Sequence, residues 1–258
     1  MRINGYELGE EIGRGDTAAV YHALDAQGRE VALKISLDDD PFRIRQMKQE
    51  ADVLAWLKDD AVPECYDYFE HEGKACLVLE LIQGQAFDLL LQMQKEAFAE
   101  HDVIHWALHL TNALDKLHSH AIPHIYSFLA PAHVMLANSG QVYLLDYGKV
   151  LAYHPDTQYP ALGLAGYSPP EQYVGKPEPR SDIFSLGVFL YELTTRRDPR
   201  ISHAAFLFHV MPPRSINPNL SPEFERIVLK AVEHKASERF ATVADMHAAL
   251  LALSKLKL

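Results

Sequence analysis

Around Gly84 the apolar residues of this chain change their spacing, and that change limits the folds open to it. Before it, residues 6–12, 18–24 and 29–36 are short β-prone runs separated by glycine-containing turns, the pattern of an antiparallel meander. Residues 41–58 have helical spacing, carried by Phe42, Ile44, Met47, Val53, Leu54 and Leu57, and two more strand-like runs follow at 65–70 and 75–81. Beyond Gly84 the spacing is helical at 87–93 and 100–120. A short strand pair at 134–136 and 142–145 then flanks the turn Asn138-Ser139-Gly140, and from about Ser181 helices alternate with proline-rich joints. No internal repeat or low-complexity segment interrupts the order. A sheet-rich lobe joined by one crossing to a helical lobe is the α+β arrangement this predicts.

Composition narrows the function. The 258 residues suit one soluble unit or two lobes sharing a core. A net charge of −11 would repel nucleic acid. No run approaches the roughly 18 apolar residues of a membrane span, and the first residues lack a signal peptide's apolar centre. Two cysteines, Cys65 and Cys76, are too few for a disulfide framework; they read as small buried hydrophobes in a reducing compartment, which points to the cytoplasm.

Two neighbouring segments suggest phosphate chemistry. Gly13-Arg14-Gly15-Asp16-Thr17-Ala18-Ala19-Val20 lies between predicted strands, where glycines would let backbone N–H groups approach a phosphate. Alone, it reads more readily as a plain hairpin turn. Val31-Ala32-Leu33-Lys34 then sets a lysine in an apolar strand, and an unpaired buried charge is costly. Glu50 on the following helix is the candidate partner; otherwise it is a solvated helix charge.

With these segments in place, the chain resembles the bacterial eukaryotic-type Ser/Thr protein kinase family over essentially all of its residues. The resemblance implies a bilobal fold, with an N-lobe at 1–82 and a C-lobe at 83–258 in one domain, and ATP with Mg²⁺ as ligands. Lys34 would hold the α/β-phosphates, steadied by Glu50. Backbone groups of Glu80 and Ile82 would meet adenine, with Val20, Ala32 and Met135 around the ring and Gly13 and Gly15 over the phosphates. Asp146-Tyr147-Gly148 is similar to the metal-binding Asp-Phe-Gly motif. Ser168-Pro169-Pro170-Glu171 resembles Ala-Pro-Glu, with Arg239 as the partner of Glu171. Ser181 to Gly187 resembles the family's central buried helix.

One part of the signature is absent. From Lys116 through Leu145 there is no Asp or Glu, although the catalytic loop should read His-Arg-Asp-Leu-x-x-x-Asn. The best register sets Tyr126 to His133 on that loop, with Pro131 at the family's proline and His133 thirteen residues before Asp146. The base Asp then becomes Phe128, the phosphate-contacting Lys becomes Ala130 and the metal-binding Asn becomes His133. Ser127 replaces the Arg that reads a phosphorylated loop. A register starting at His124 supplies no Asp either. Leu164 stands where relatives carry a Thr bonded to the lost Asp and Lys, so Phe128, Ala130 and Leu164 are expected to form an apolar contact. Replacing the whole set avoids leaving buried polar groups unpaired.

A positioned base contributes roughly 10²–10⁴ in rate, and kinases turn over at about 1–100 per second, so loss of the base alone implies about 10⁻² per second at the middle of that range. The expected function is a pseudokinase that binds ATP and regulates or scaffolds another protein, such as a kinase or signalling enzyme. The alternative is a slow or atypical phosphoryl or nucleotidyl transferase using Lys34 and Asp146.

Smaller signals are weighed against this frame. His101, His105 and His109 share a helix face with Asn112 and Lys116, which reads as a solvated stripe. His133 either ligates Mg²⁺ poorly through nitrogen or fills space. Tyr126 is expected to pack against Tyr147 and Leu54. Residues 149–162 would be the activation segment, holding Tyr153, Thr157 and Tyr159 without the usual Arg reader of a phosphate.

Overall fold

The computed structural model describes residues 1–201 and 207–256. The sheet lobe is built from β1 (Arg2–Ile3), β2 (Tyr6–Arg14), β3 (Ala18–Leu24), β4 (Glu30–Ser36), α1 (Pro41–Trp56), β5 (Cys65–His71) and β6 (Lys74–Glu80). The strands form one antiparallel sheet in the order β1-β2-β3-β4-β6-β5. Alternation gives it two faces. Val31 and Leu33 pack with Ile3, Ala23, Cys76 and Val78, while Ala18, Ala75 and Leu77 pack beneath Met47 and Ala51 of α1. Lys34 belongs to the α1 face, and that is why a charge in this strand can find a helix carboxylate. Asp40 caps α1 by accepting the Phe42 N–H at 2.9 Å, with Pro41 in the first turn where its missing N–H costs nothing. The helix stops at Trp56, two residues short of the predicted end, because Leu57 turns extended and buries itself in the core.

The helical lobe comprises β7 (Gly84–Ala86), α2 (Phe87–Met93), α3 (Glu100–His118), β8 (His124–Ile125), β9 (Val134–Ala137), β10 (Val142–Leu144), β11 (Leu151–Ala152), α4 (Pro170–Tyr173), α5 (Pro179–Thr195), α6 (Pro213–Ile216), α7 (Pro222–Ala231) and α8 (Val243–Lys255). The fold is the expected α+β bilobal one. The expected strand pair is β9 and β10; a third strand, β7, was not anticipated, nor was the pair β8 and β11. β7 pairs with β9, and a Cβ on Gly84 would lie 2.2 Å from the Leu136 carbonyl, so only glycine permits that approach. β11 pairs with β8 and fastens the start of residues 149–162 beside the loop that follows Ile125.

Helix α5 is buried along nearly its whole length, and Gly187 lets α7 come close: a Cβ there would meet that of Ala231 at 2.7 Å. A capping box of Glu178 and Ser181 starts α5, and one of Thr242 and Asp245 starts α8. Glu171 meets Arg239 as expected, in a two-pronged pair at 2.6 and 3.0 Å, and the Arg239 side chain is fully buried. Cys65 and Cys76 are free thiols, with Cys76 buried and Cys65 half-buried. No helix among the described residues is long and apolar enough to cross a membrane.

Candidate functional site

Between the lobes lies a cleft of about 280 Å³, lined by Gly15 to Ala18, Val20, Lys34 and Glu50 on one side and by Phe128, His133, Asp146, Gly148 and Lys149 on the other. Lys34 is its centre. Its ammonium donates to Glu50 Oε2 at 2.8 Å and also to Asp146 Oδ1. Burial alone would lower the Lys34 pKa, but the two carboxylates outweigh it and raise it. Lys34 pulls the Asp146 carboxyl down to about 2, with His133 and Lys149 adding to the effect. That side chain is half exposed, so solvent tempers the attraction. Glu50 is almost wholly buried, and burial pushes its carboxyl up against the pull of Lys34. A charged group out of water is tolerated here because each has an opposite partner.

Asp146 takes left-handed backbone angles, φ 60°, and opens a single 3₁₀ turn over Tyr147–Lys149. That turn is held against α1. Gly148 sits under the Gln46 carbonyl, which a Cβ would meet at 3.0 Å, and the Val150 carbonyl accepts from the Gln49 side chain. Tyr147 packs edge-to-face on Tyr126, with centroids 5.6 Å apart, in the buried cluster that includes Leu54. The Tyr126 hydroxyl donates to the Leu145 carbonyl.

The loop from 126 to 133 is built with care although it carries no acid. Asp182 of α5, fully buried, accepts the N–H groups of Tyr126 and Ser127, each at 2.8 Å, and meets His118 Nε2 at 2.8 Å. Ser127 is held at φ 74°, and its carbonyl accepts from Gln172 Nε2 at 2.8 Å. Sequence reasoning placed Asp182 in a buried helix without giving it this task. An Asp among apolar neighbours was the available signal, since a buried carboxylate must find donors.

At the loop's tip the expected apolar contact divides. Ala130 is buried and Leu164 packs on the same core, whereas Phe128 is half-buried and faces the cleft. The Lys149 ammonium lies 4.5 Å from the Phe128 ring centroid. His133 Nδ1 is 2.6 Å from the Phe128 carbonyl. A carbonyl only accepts, so that nitrogen carries the hydrogen and Nε2 faces Asp146 Oδ2 at 3.9 Å.

The remaining expected residues are not all on this cleft. Gly13 pairs with Val20, and the Gly15 N–H is donated to the Ala18 carbonyl, so the segment closes as a hairpin with that donor engaged. Ala32 lies opposite Leu79, and Met135 opposite Ala86 and Tyr143, away from the phosphate end. The Glu80 N–H is donated to the Glu64 carbonyl at 2.8 Å, so a ligand would have to be met by other groups of the segment ending at Ile82. The histidine stripe faces solvent at His101 and His105, and Lys116 reaches Asp59 at 2.9 Å. In residues 149–162, Tyr159 is bonded on both sides: its hydroxyl donates to Ala152 and accepts from the His154 N–H.

The donor set suits a polyphosphate end better than a hard cation. Asp146 offers oxygen but His133 offers nitrogen, and Mg²⁺ prefers oxygen ligands.

Comparison with known proteins agrees with this geometry. The family described as protein kinase domain matches residues 6–248. A probable serine/threonine-protein kinase of Streptomyces coelicolor is 33% identical over 267 residues, covering 95% of this chain and 39% of the relative. The serine/threonine-protein kinase PknB of Mycolicibacterium smegmatis is 31% identical, covering 95% of this chain and 42% of its own length. The chain thus spans about two fifths of these curated relatives.

Proposed function

The chain belongs to the protein kinase family, and on that premise we propose that it is a pseudokinase: a module that binds ATP and acts by contacting another protein, in the cytoplasm. One observation carries the reading: Lys34 is bonded to both Glu50 and Asp146, while the Phe128 ring, which we take to stand at the place of the base, lies under a lysine. A phenyl ring cannot take the proton that an attacking hydroxyl must lose. Lys34 would bind the phosphates, Glu50 would hold Lys34 extended, and Asp146 would hold the cation a triphosphate brings, whose chemistry is charge neutralisation. Neither Ala130 nor Leu164 offers a polar group to repair the loss.

The test is thermal melting with ATP. A rise in Tm that Lys34→Ala removes is the expected result; no rise in the parent protein would leave only a shape-keeping scaffold.

A second reading, slow phosphoryl or nucleotidyl transfer, draws on the same Lys34 and Asp146 arrangement, which could still position a triphosphate for a substrate bringing its own base. Mass spectrometry after incubation with labelled ATP separates the two. A phosphorylated or adenylylated product that disappears in Asp146→Ala would defeat the pseudokinase reading.

A further inference from the structure

We propose that Lys149 binds the terminal phosphate of a nucleoside triphosphate in the cleft, supplying from the far side of Asp146 the positive charge that position 130 no longer carries. This rests on the nucleotide reading above and goes beyond it by naming the group that tells a triphosphate from a diphosphate.

Three observations converge. First, charge: Lys34 and Lys149 are the two lysines on the cleft wall, beside the acids Asp16, Glu50 and Asp146. Lys34 is already shared between Glu50 and Asp146. A triphosphate entering such a site meets net negative charge unless another cation turns toward it. Among the described residues Lys149 makes no ion pair, and it acts on Asp146 only at longer range, so it has no carboxylate in contact to give up.

Second, position: the ammonium is held over the Phe128 ring, 4.5 Å from its centroid. Phe128 stands at the place of the family's base. A ring face attracts a cation without neutralising it, so the lysine is oriented yet still free to pair with an anion. Third, rigidity: the backbone of Lys149 ends the 3₁₀ turn that Gly148 and the Val150 carbonyl fasten to α1. The lysine therefore leaves from a fixed point beside Asp146, and only its flexible stem needs to move.

The experiment is calorimetric titration of the whole chain with ATP and with ADP, in the parent protein, Lys149→Gln, Lys149→Arg and Phe128→Leu. Lys149→Gln should weaken ATP binding by about tenfold, the usual size of a charge-assisted hydrogen bond, while ADP binding stays within about twofold. Lys149→Arg should keep the ATP preference. Phe128→Leu should lower that preference by a smaller factor, because the lysine loses its seat. Equal weakening of ATP and ADP in Lys149→Gln, or no change in either, would overturn the assignment while leaving the nucleotide reading intact. If the parent protein binds neither nucleotide, the reading itself fails, and the role of Lys149 with it.

Discussion

On one wall of the cleft, Lys34 is a single cation shared by two acids, Glu50 beside it and Asp146 from across the cleft. On the facing wall, residues 126–133 present a ring and an imidazole, Phe128 and His133, and no acid. Yet the second wall is no less firmly built: Asp182 and Gln172 hold its backbone through three hydrogen bonds, and His118 braces Asp182. The polar contacts that shape this loop are made by its backbone at Tyr126 and Ser127, away from the Phe128 and His133 side chains that face the cleft.

The contrast is most open to attack at Asp182. Asp182→Ala would strand two buried N–H groups and His118, and should cost roughly 3–5 kcal/mol of unfolding free energy, as for a broken buried pair. Urea denaturation measures it. A loss under about 1 kcal/mol would mean the loop is not held as described.

A second test compares two acids. Asp146 is kept ionised by Lys34, whereas Glu192 of α5 is buried with the Tyr167 hydroxyl at 2.5 Å, and burial raises its pKa to about 7. In the unfolded chain Glu192 ionises near 4.5, while in the fold it stays protonated until about 7. Its stabilising contribution is therefore full below pH 4.5 and falls as pH rises through about 7. Melting curves across that window should show the decline, and Glu192→Gln should flatten it.

His133 offers a finer probe. With its nitrogen toward Asp146, the site should gain more Tm from ATP with Ni²⁺ than with Mg²⁺, because imidazole suits the former. His133→Asn should reverse that order; an unchanged order would show that His133 does not touch the cation. The smallest expected effect is at the lost base. Phe128→Asp alone should leave phosphoryl transfer below about 10⁻² per second, since Ala130 and Leu164 still lack the partners of that acid. A rate near that of an ordinary kinase would sink the claim that the whole set was exchanged.

Much of this was legible in residues 1–200. Lys34 announced its own partner, because a charge inside an apolar strand is unstable alone, and Glu50 was the acid at helical distance. The absence of acid from 116 to 145 was equally plain. What escaped were features made by approach rather than by pattern. β7 and β11 are three and two residues long, too short for periodicity to mark, and exist because a partner strand is near. That the Glu80 N–H is engaged by the Glu64 carbonyl was one of them. Phe128 was expected in the core with Ala130 and Leu164, but it stops at the cleft wall, where Lys149 lies on its ring.

By itself the sequence decided the two lobes and the salt-bridged lysine, since each follows from periodicity or from the cost of an unpaired charge, and both are local properties of a string of residues. The tertiary structure alone decided which side chains share the cleft: that Asp182 holds an acid-free loop, that His133 turns its free nitrogen to Asp146, and that Lys149 reaches Phe128. Those outcomes depend on the directions in which side chains leave the backbone and on separations of a few ångströms between distant segments, which no spacing along the chain encodes.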